Sequence, residues 1–212
     1  MRFGFLISMI FMASTSWSAN ISHTFDRLDN QPYTLTLSGA VERGDAELIK
    51  KALAELRSKE FVFNLNSPGG YVVEGKAIIE QLQSLQKQGI KITTSVKNGD
   101  QCGSICLPIY LVGNERRAGS HAAFYFHGVT HLFCNIPNER LTEDYISLLL
   151  DLGAKKEFID FLRAEEAFTT PGEYWMSGKE LHEQGQGFVS ELTGNHRKAR
   201  PQCPNRFPER PR

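Results

Sequence analysis

Phe61-Val62-Phe63-Asn64-Leu65-Asn66-Ser67-Pro68-Gly69-Gly70 runs from an apolar segment into a forced turn. The first five residues predict a short buried strand. Pro68 then fixes one backbone angle, and Gly69 and Gly70 permit angles that side chains forbid. Beyond the turn, Val73, Ala77, Ile78, Leu82 and Leu85 recur at helical spacing. The order is strand, glycine-rich turn, helix. Such a turn leaves bare N–H groups beside a helix N-terminus, where an oxyanion can be held. Taken alone, the same residues also suit a tight turn without chemistry.

The flanking sequence extends the alternation. Tyr33 to Leu37 alternates apolar residues with threonine and predicts a strand, closed by Ser38-Gly39. Asp45 to Leu56 carries Leu48, Ile49, Ala52, Leu53 and Leu56, the pattern of an amphipathic helix. Ile90 to Val96 predicts a further strand after the helix stop at Gly89. Strand and helix alternating in this way imply a parallel sheet with helical crossovers. Asn98 to Cys106 reads as a turn of small residues, and Ile105 to Val112 as a helix that accepts Pro108 in its first turn. Ala122 to Phe126 predicts a strand delivering His127. Later helices are expected from a cap at Thr142, from Lys155 to Ala164, and from a cap at Ser177 to His182, with Phe188-Val189 as a last strand. Asn20 to Pro32 shows no pattern.

The chain has 212 residues, enough for one sizeable core, and 24 basic against 24 acidic side chains. This balance gives no global field for nucleic acid or an anionic membrane. Arg2, the apolar run Phe3 to Met12 and the small residues through Ala19 form a secretory signal pattern, with cleavage expected after Ser18. The run is too short to span a bilayer. Export to the periplasm or beyond the cell would make an oxidised state of the four cysteines the expectation: Cys102, Cys106, Cys134 and Cys203. Three pairings are open, and the Cys102/Cys106 spacing is only a weak metal signal. The expected organisation is therefore 1–18 signal peptide, 33–192 folded domain, and 195–212 a basic, proline-rich flexible tail.

Two residues carry candidate chemistry. Ser104 sits where a turn enters a helix, a place that suits either a helix cap or an exposed nucleophile. His127 ends a strand, where it is either a packed side chain or a base.

Together these elements resemble the proteolytic subunit of the Clp protease, in the Clp/crotonase superfamily, from about Tyr33 to Leu192. Asn66-Ser67-Pro68-Gly69-Gly70 matches that family's motif without change. Gly103-Ser104-Ile105, Phe126-His127 and Trp175-Met176-Ser177-Gly178-Lys179-Glu180-Leu181 fall at the family's serine, histidine and late helix segments, and Gly113 to Arg117 resembles its glycine and basic turn. The resemblance implies an α/β fold of repeated β-β-α units with a helical C-terminal part. It implies Ser104, His127 and Glu173 as catalytic residues, with the N–H groups of Gly70 and Ile105 as the oxyanion hole. Glu173 stands where the family has aspartate, and Asp151 and Asp160 are the alternatives. Flanking cysteines replace small or apolar residues, and the favoured pairing is Cys102 with Cys106 and Cys134 with Cys203. The loop with His131 and Cys134 differs from the family's, so a double ring is not carried over.

The expected function is an exported serine hydrolase acting on peptide or protein, with no cofactor and no metal, and with self-association open. The alternative is a degenerate module that binds peptides or a partner without turnover. A thioester enzyme of the crotonase branch and a serine–lysine peptidase using Lys155 or Lys156 are minor readings.

Overall fold

The structure, a computed structural model, describes residues 20–24, 33–131, 134–169 and 172–194. The signal segment, the tail and Cys203 lie outside the described residues, and with Cys203 the expected Cys134–Cys203 pair.

The first sheet is six-stranded, in the order β1 (Asn20–Thr24), β2 (Tyr33–Ser38), β3 (Glu60–Asn66), β4 (Lys91–Val96), β6 (Glu115–Gly119) and β11 (Glu191–Thr193). All neighbours run parallel except β1, which is antiparallel to β2. The second sheet is three-stranded: β10 (Tyr174–Ser177), β7 (Ala123–Phe126) and β5 (Gln101–Gly103). A two-stranded ladder joins β8 (Thr130–His131) to β9 (Cys134–Pro137). The repeated unit is visible in β4, β5 and the helix after them, α3 (Cys106–Leu111): one strand enters each sheet before the chain turns into the helix. Strands β6 and β7 divide between the sheets in the same way.

The crossovers α1 (Asp45–Ala54) and α2 (Val72–Lys87) pack on one another, α2 on α3, and α3 on α4 (Glu139–Asp151). α5 (Lys156–Ala164) and α6 (Gly178–Gln184) complete the C-terminal part. The fully apolar face of β3, with Phe61, Phe63 and Leu65, lies against Ile49, Ile78 and Leu82 in one continuous core. An aromatic cluster carries that core beneath the second sheet: Tyr110, Phe124, Phe126, Phe158 and Phe188 meet with centroids 5.3–6.1 Å apart.

Four local expectations are corrected. Asn20–Thr24 is a strand; its single apolar residue, Ile21, gives no alternation to read. Residues 115–119 are a central strand where a basic turn was expected. Its charges are absorbed: Arg116 donates to the carbonyls of Gly113, Gly187 and Phe188, and Arg117 pairs with Glu115 and Glu191. Phe188 and Val189 are buried for packing, and the last strand begins at Glu191. Asn138, not Thr142, caps α4 by accepting from the N–H of Leu141. Thr142 is buried within the helix and accepts from the N–H of Val129. Ser177 does cap α6, through a reciprocal bond pair with Glu180.

Candidate active site

Two turns, one from each sheet, are joined at the site. The backbone N–H of Ser67 donates to the carbonyl of Gln101 at 2.8 Å, and the N–H of Gly103 donates to that of Ser67 at 3.1 Å. Each residue of the motif has a physical task. The Asn66 side-chain oxygen accepts from the N–H of Gln101, and the buried Ser67 hydroxyl accepts from the N–H of Gly69. The Pro68 carbonyl accepts from the Tyr125 hydroxyl. Gly69 lies against the serine turn so closely that a Cβ would sit 2.5 Å from that of Ser104. At Gly70, φ is 146°, and a Cβ would stand 2.2 Å from the Val41 carbonyl oxygen.

This zipper leaves the Gly70 N–H unused. The adjacent N–H of Tyr71 goes to Val41, and that of Val41 goes to the Gly69 carbonyl. Neither the Gly70 nor the Ile105 N–H has a hydrogen-bond partner among the described residues. Ile105 stands at the start of α3, where helix geometry leaves N–H groups free.

Ser104 adopts φ 51°, a left-handed conformation rare for a residue with a side chain. It does not cap α3, whose cap residue is Ile105 with no side-chain bond. Its conformation is held from three sides. Cys102 and Cys106 form a disulfide with Cα atoms 5.3 Å apart, closing a ring around Gly103, Ser104 and Ile105. Gly103 is pressed under the Tyr125 ring, with no room for a Cβ. The buried Tyr145 hydroxyl of α4 donates to the Ser104 carbonyl at 2.9 Å. Burial holds the Tyr145 phenol well above its usual range, so it remains a donor.

The second sheet sets the order of the three catalytic candidates. β5 is parallel to β7, with Gly103 opposite Tyr125, so Ser104 and His127 leave the same end of neighbouring strands. β10 is antiparallel to β7, with Tyr174 opposite Phe126, so Glu173 precedes β10 at that same end. Serine, imidazole and carboxylate thus stand at one end of strands spaced about 4.8 Å apart. The His127 Nδ1–H donates to the Gly128 carbonyl at 2.8 Å, since a carbonyl can only accept, and this leaves Nε2 as the acceptor. Glu173 is exposed and is not hydrogen-bonded to His127. Its charge is felt by Tyr125, whose phenol is held above its usual range first by burial and then by that carboxylate.

Ser104, Ile105, Gly70 and His127 line one cleft of about 520 Å³. The turn and start of α2 contribute Tyr71, Val72 and Lys76, with Glu42 beside them. Helix α4 contributes Leu141, Asp144, Tyr145 and Leu148, one face of the helix at i, i+3, i+4 and i+7 spacing. Val129 and Thr130 close the set. Glu173 does not line it, nor does Lys155 or Lys156, and Lys156 pairs with Asp160. Sequence reasoning did not single out Tyr125 or Tyr145. The helical stripe containing Tyr145 was readable, but the carbonyl it meets belongs to a distant turn.

Two expected results arise from this geometry. Removing the bridge as Cys102→Ala with Cys106→Ala should lower stability by about 2 kcal/mol, the loop-closure value for so short a ring. Denaturant unfolding of both proteins under non-reducing conditions checks it. Tyr145→Phe should cost about 1 kcal/mol of stability, from one lost bond to a buried carbonyl. It should also slow phosphonate labelling of Ser104 on the order of tenfold, because the serine turn loses its tie to α4. A labelling rate equal to that of the parent would remove Tyr145 from the site.

No protein-family model matches the sequence. No curated protein matches it either. Among solved structures, the fold is similar to the crystal structure of the ClpP protease catalytic domain from Plasmodium falciparum, with a TM-score of 0.59 and 16% sequence identity. The match covers 78% of this chain and 87% of that one. At this identity the likeness shows the fold, a mixed α/β architecture with a mostly parallel sheet. It carries no residue's role.

Proposed function

We propose that the protein is an exported serine peptidase. The observation that carries this reading is the convergence of Ser104, His127 and the unbonded N–H groups of Gly70 and Ile105 on a single cleft. In this mechanism the Ser104 hydroxyl attacks the scissile carbonyl, and His127 Nε2 takes its proton. The oxyanion that forms accepts from the N–H groups of Gly70 and Ile105. The imidazolium then returns the proton to the departing amine, and water releases the acyl group by the reverse sequence. Glu173 is the proposed acid of the triad. Its place opposite His127 supports the role, which requires the imidazole to exchange the Gly128 carbonyl for the carboxylate.

Export is supported by the signal pattern in residues 1–18 and by the Cys102–Cys106 bridge, which oxidising compartments favour. No helix of the described residues is long and apolar enough to cross a membrane. The substrate is proposed to be a peptide or unfolded segment, because the cleft is open and combines aliphatic side chains with polar and charged ones. Self-association of the chain is part of the proposal.

The test is labelling of the mature protein with a fluorescent fluorophosphonate. Labelling that requires both Ser104 and His127 supports the hydrolase. A folded, oxidised protein that takes no label would favour the second reading, a peptide-binding module. That reading draws on the Nδ1 bond of His127 to Gly128 instead of a carboxylate.

A further inference from the structure

The charges of the cleft are unequally placed. Glu42 and Lys76 both belong to the Gly70 side: Glu42 follows Val41, whose backbone is bonded to the glycine turn, and Lys76 lies one turn past Val72. They are opposite in sign and together add no net formal charge to the lining. Helix α4 supplies a single charge to the cleft, Asp144, set between Leu141 and Leu148 on the same helical face. The neighbouring acid Glu143 points elsewhere and pairs with Arg163 at 2.6 Å. The Asp144 side chain is exposed and has no ion pair or hydrogen bond among the described residues. Val72, Ile105, Val129, Leu141 and Leu148 form an apolar lining, and the exposed Asp144 carboxylate leaves the charged side chains of the cleft with a net negative charge.

A purely aliphatic side chain would fill such a lining and leave the carboxylate unused. A lysine or arginine side chain matches both parts: its methylene stem covers apolar surface while its head keeps contact with water and with an acid. We propose that the cleft prefers a basic residue at the position just before the scissile bond, and that Asp144 is the residue that reads its charge. This deepens, and rests on, the hydrolase reading of Ser104.

The test compares two peptides differing only at that position, lysine against norleucine, which is similar in length but uncharged. With the mature chain at low salt, kcat/KM should favour lysine by roughly two- to fivefold, as expected of an exposed ion pair. Asp144→Asn should collapse the ratio toward one, Asp144→Lys should invert it, and added salt should shrink it in the parent. Norleucine cut as fast as lysine by the parent, or a ratio unmoved by Asp144→Asn, would overturn the proposal. The same two peptides, fluorescently labelled, are also titrated against Ser104→Ala by polarisation. Absence of turnover by the parent counts against the hydrolase, whereas the charge preference in binding is read without turnover. Equal binding of both peptides, or binding of neither, rejects the role given to Asp144.

Discussion

Ser104→Ala is expected to abolish phosphonate labelling and to lower peptide hydrolysis by a factor of about a thousand or more, with the fold intact. The side chain is half-buried at the cleft and makes no hydrogen bond among the described residues. Removing its hydroxyl therefore strands no buried partner, and alanine tolerates φ 51° about as poorly as serine does. Stability should change by less than about 0.5 kcal/mol. His127→Ala should produce a loss of similar size, because a serine without its base is a weak nucleophile. The double variant should be little worse than either single one, since the two residues act as a unit. The readout is kcat/KM beside a thermal melt. Residual hydrolysis within tenfold of the parent in Ser104→Ala would sink the proposed chemistry.

Gly70→Ala should be comparably severe for a different reason. The added Cβ would stand 2.2 Å from the Val41 oxygen and 2.8 Å from its nitrogen, both main-chain atoms that cannot rotate aside. The turn must open, which breaks the bonds between Val41 and residues 69 and 71 and displaces the N–H proposed to hold the oxyanion. A stability loss on the order of 3 kcal/mol is expected from overpacking and an unfavourable φ. A rate loss of about a hundredfold is expected from the missing donor. Gly99→Ala is the control. Its φ of 87° carries conformational strain, but nothing lies within 4 Å of its Cβ position. It should show the stability cost of strain alone, without the rate loss. Equal activity in Gly70→Ala and Gly99→Ala would dissociate the glycine turn from catalysis.

The strongest sequence signals were those that physics makes local. Phe61 to Gly70 announced a strand and a turn because a buried strand needs consecutive apolar residues, and this turn needs angles that only glycine adopts freely. The helices at 45–54 and 72–87 declared themselves by periodicity, since one face of each must be buried. Strands 20–24, 101–103 and 115–119 did not. They are too short, or their charges are satisfied by partners such as Glu191 and the Phe188 carbonyl, far along the chain.

The candidate site divides in the same way. Ser104 and His127 were marked by where they fall at the ends of turns and strands, Gly70 and Ile105 by the resemblance to the Clp family, and Cys102 with Cys106 as the favoured of three open pairings. Tyr145 bonding to Ser104, Tyr125 covering Gly103, Gly128 holding the imidazole, and Asp144 lining the cleft from α4 are products of tertiary folding. A local pattern records which residues must be buried and which must bend. It does not record which distant backbone group a buried hydroxyl will reach, because that partner is chosen when the two sheets and α4 close over the serine turn.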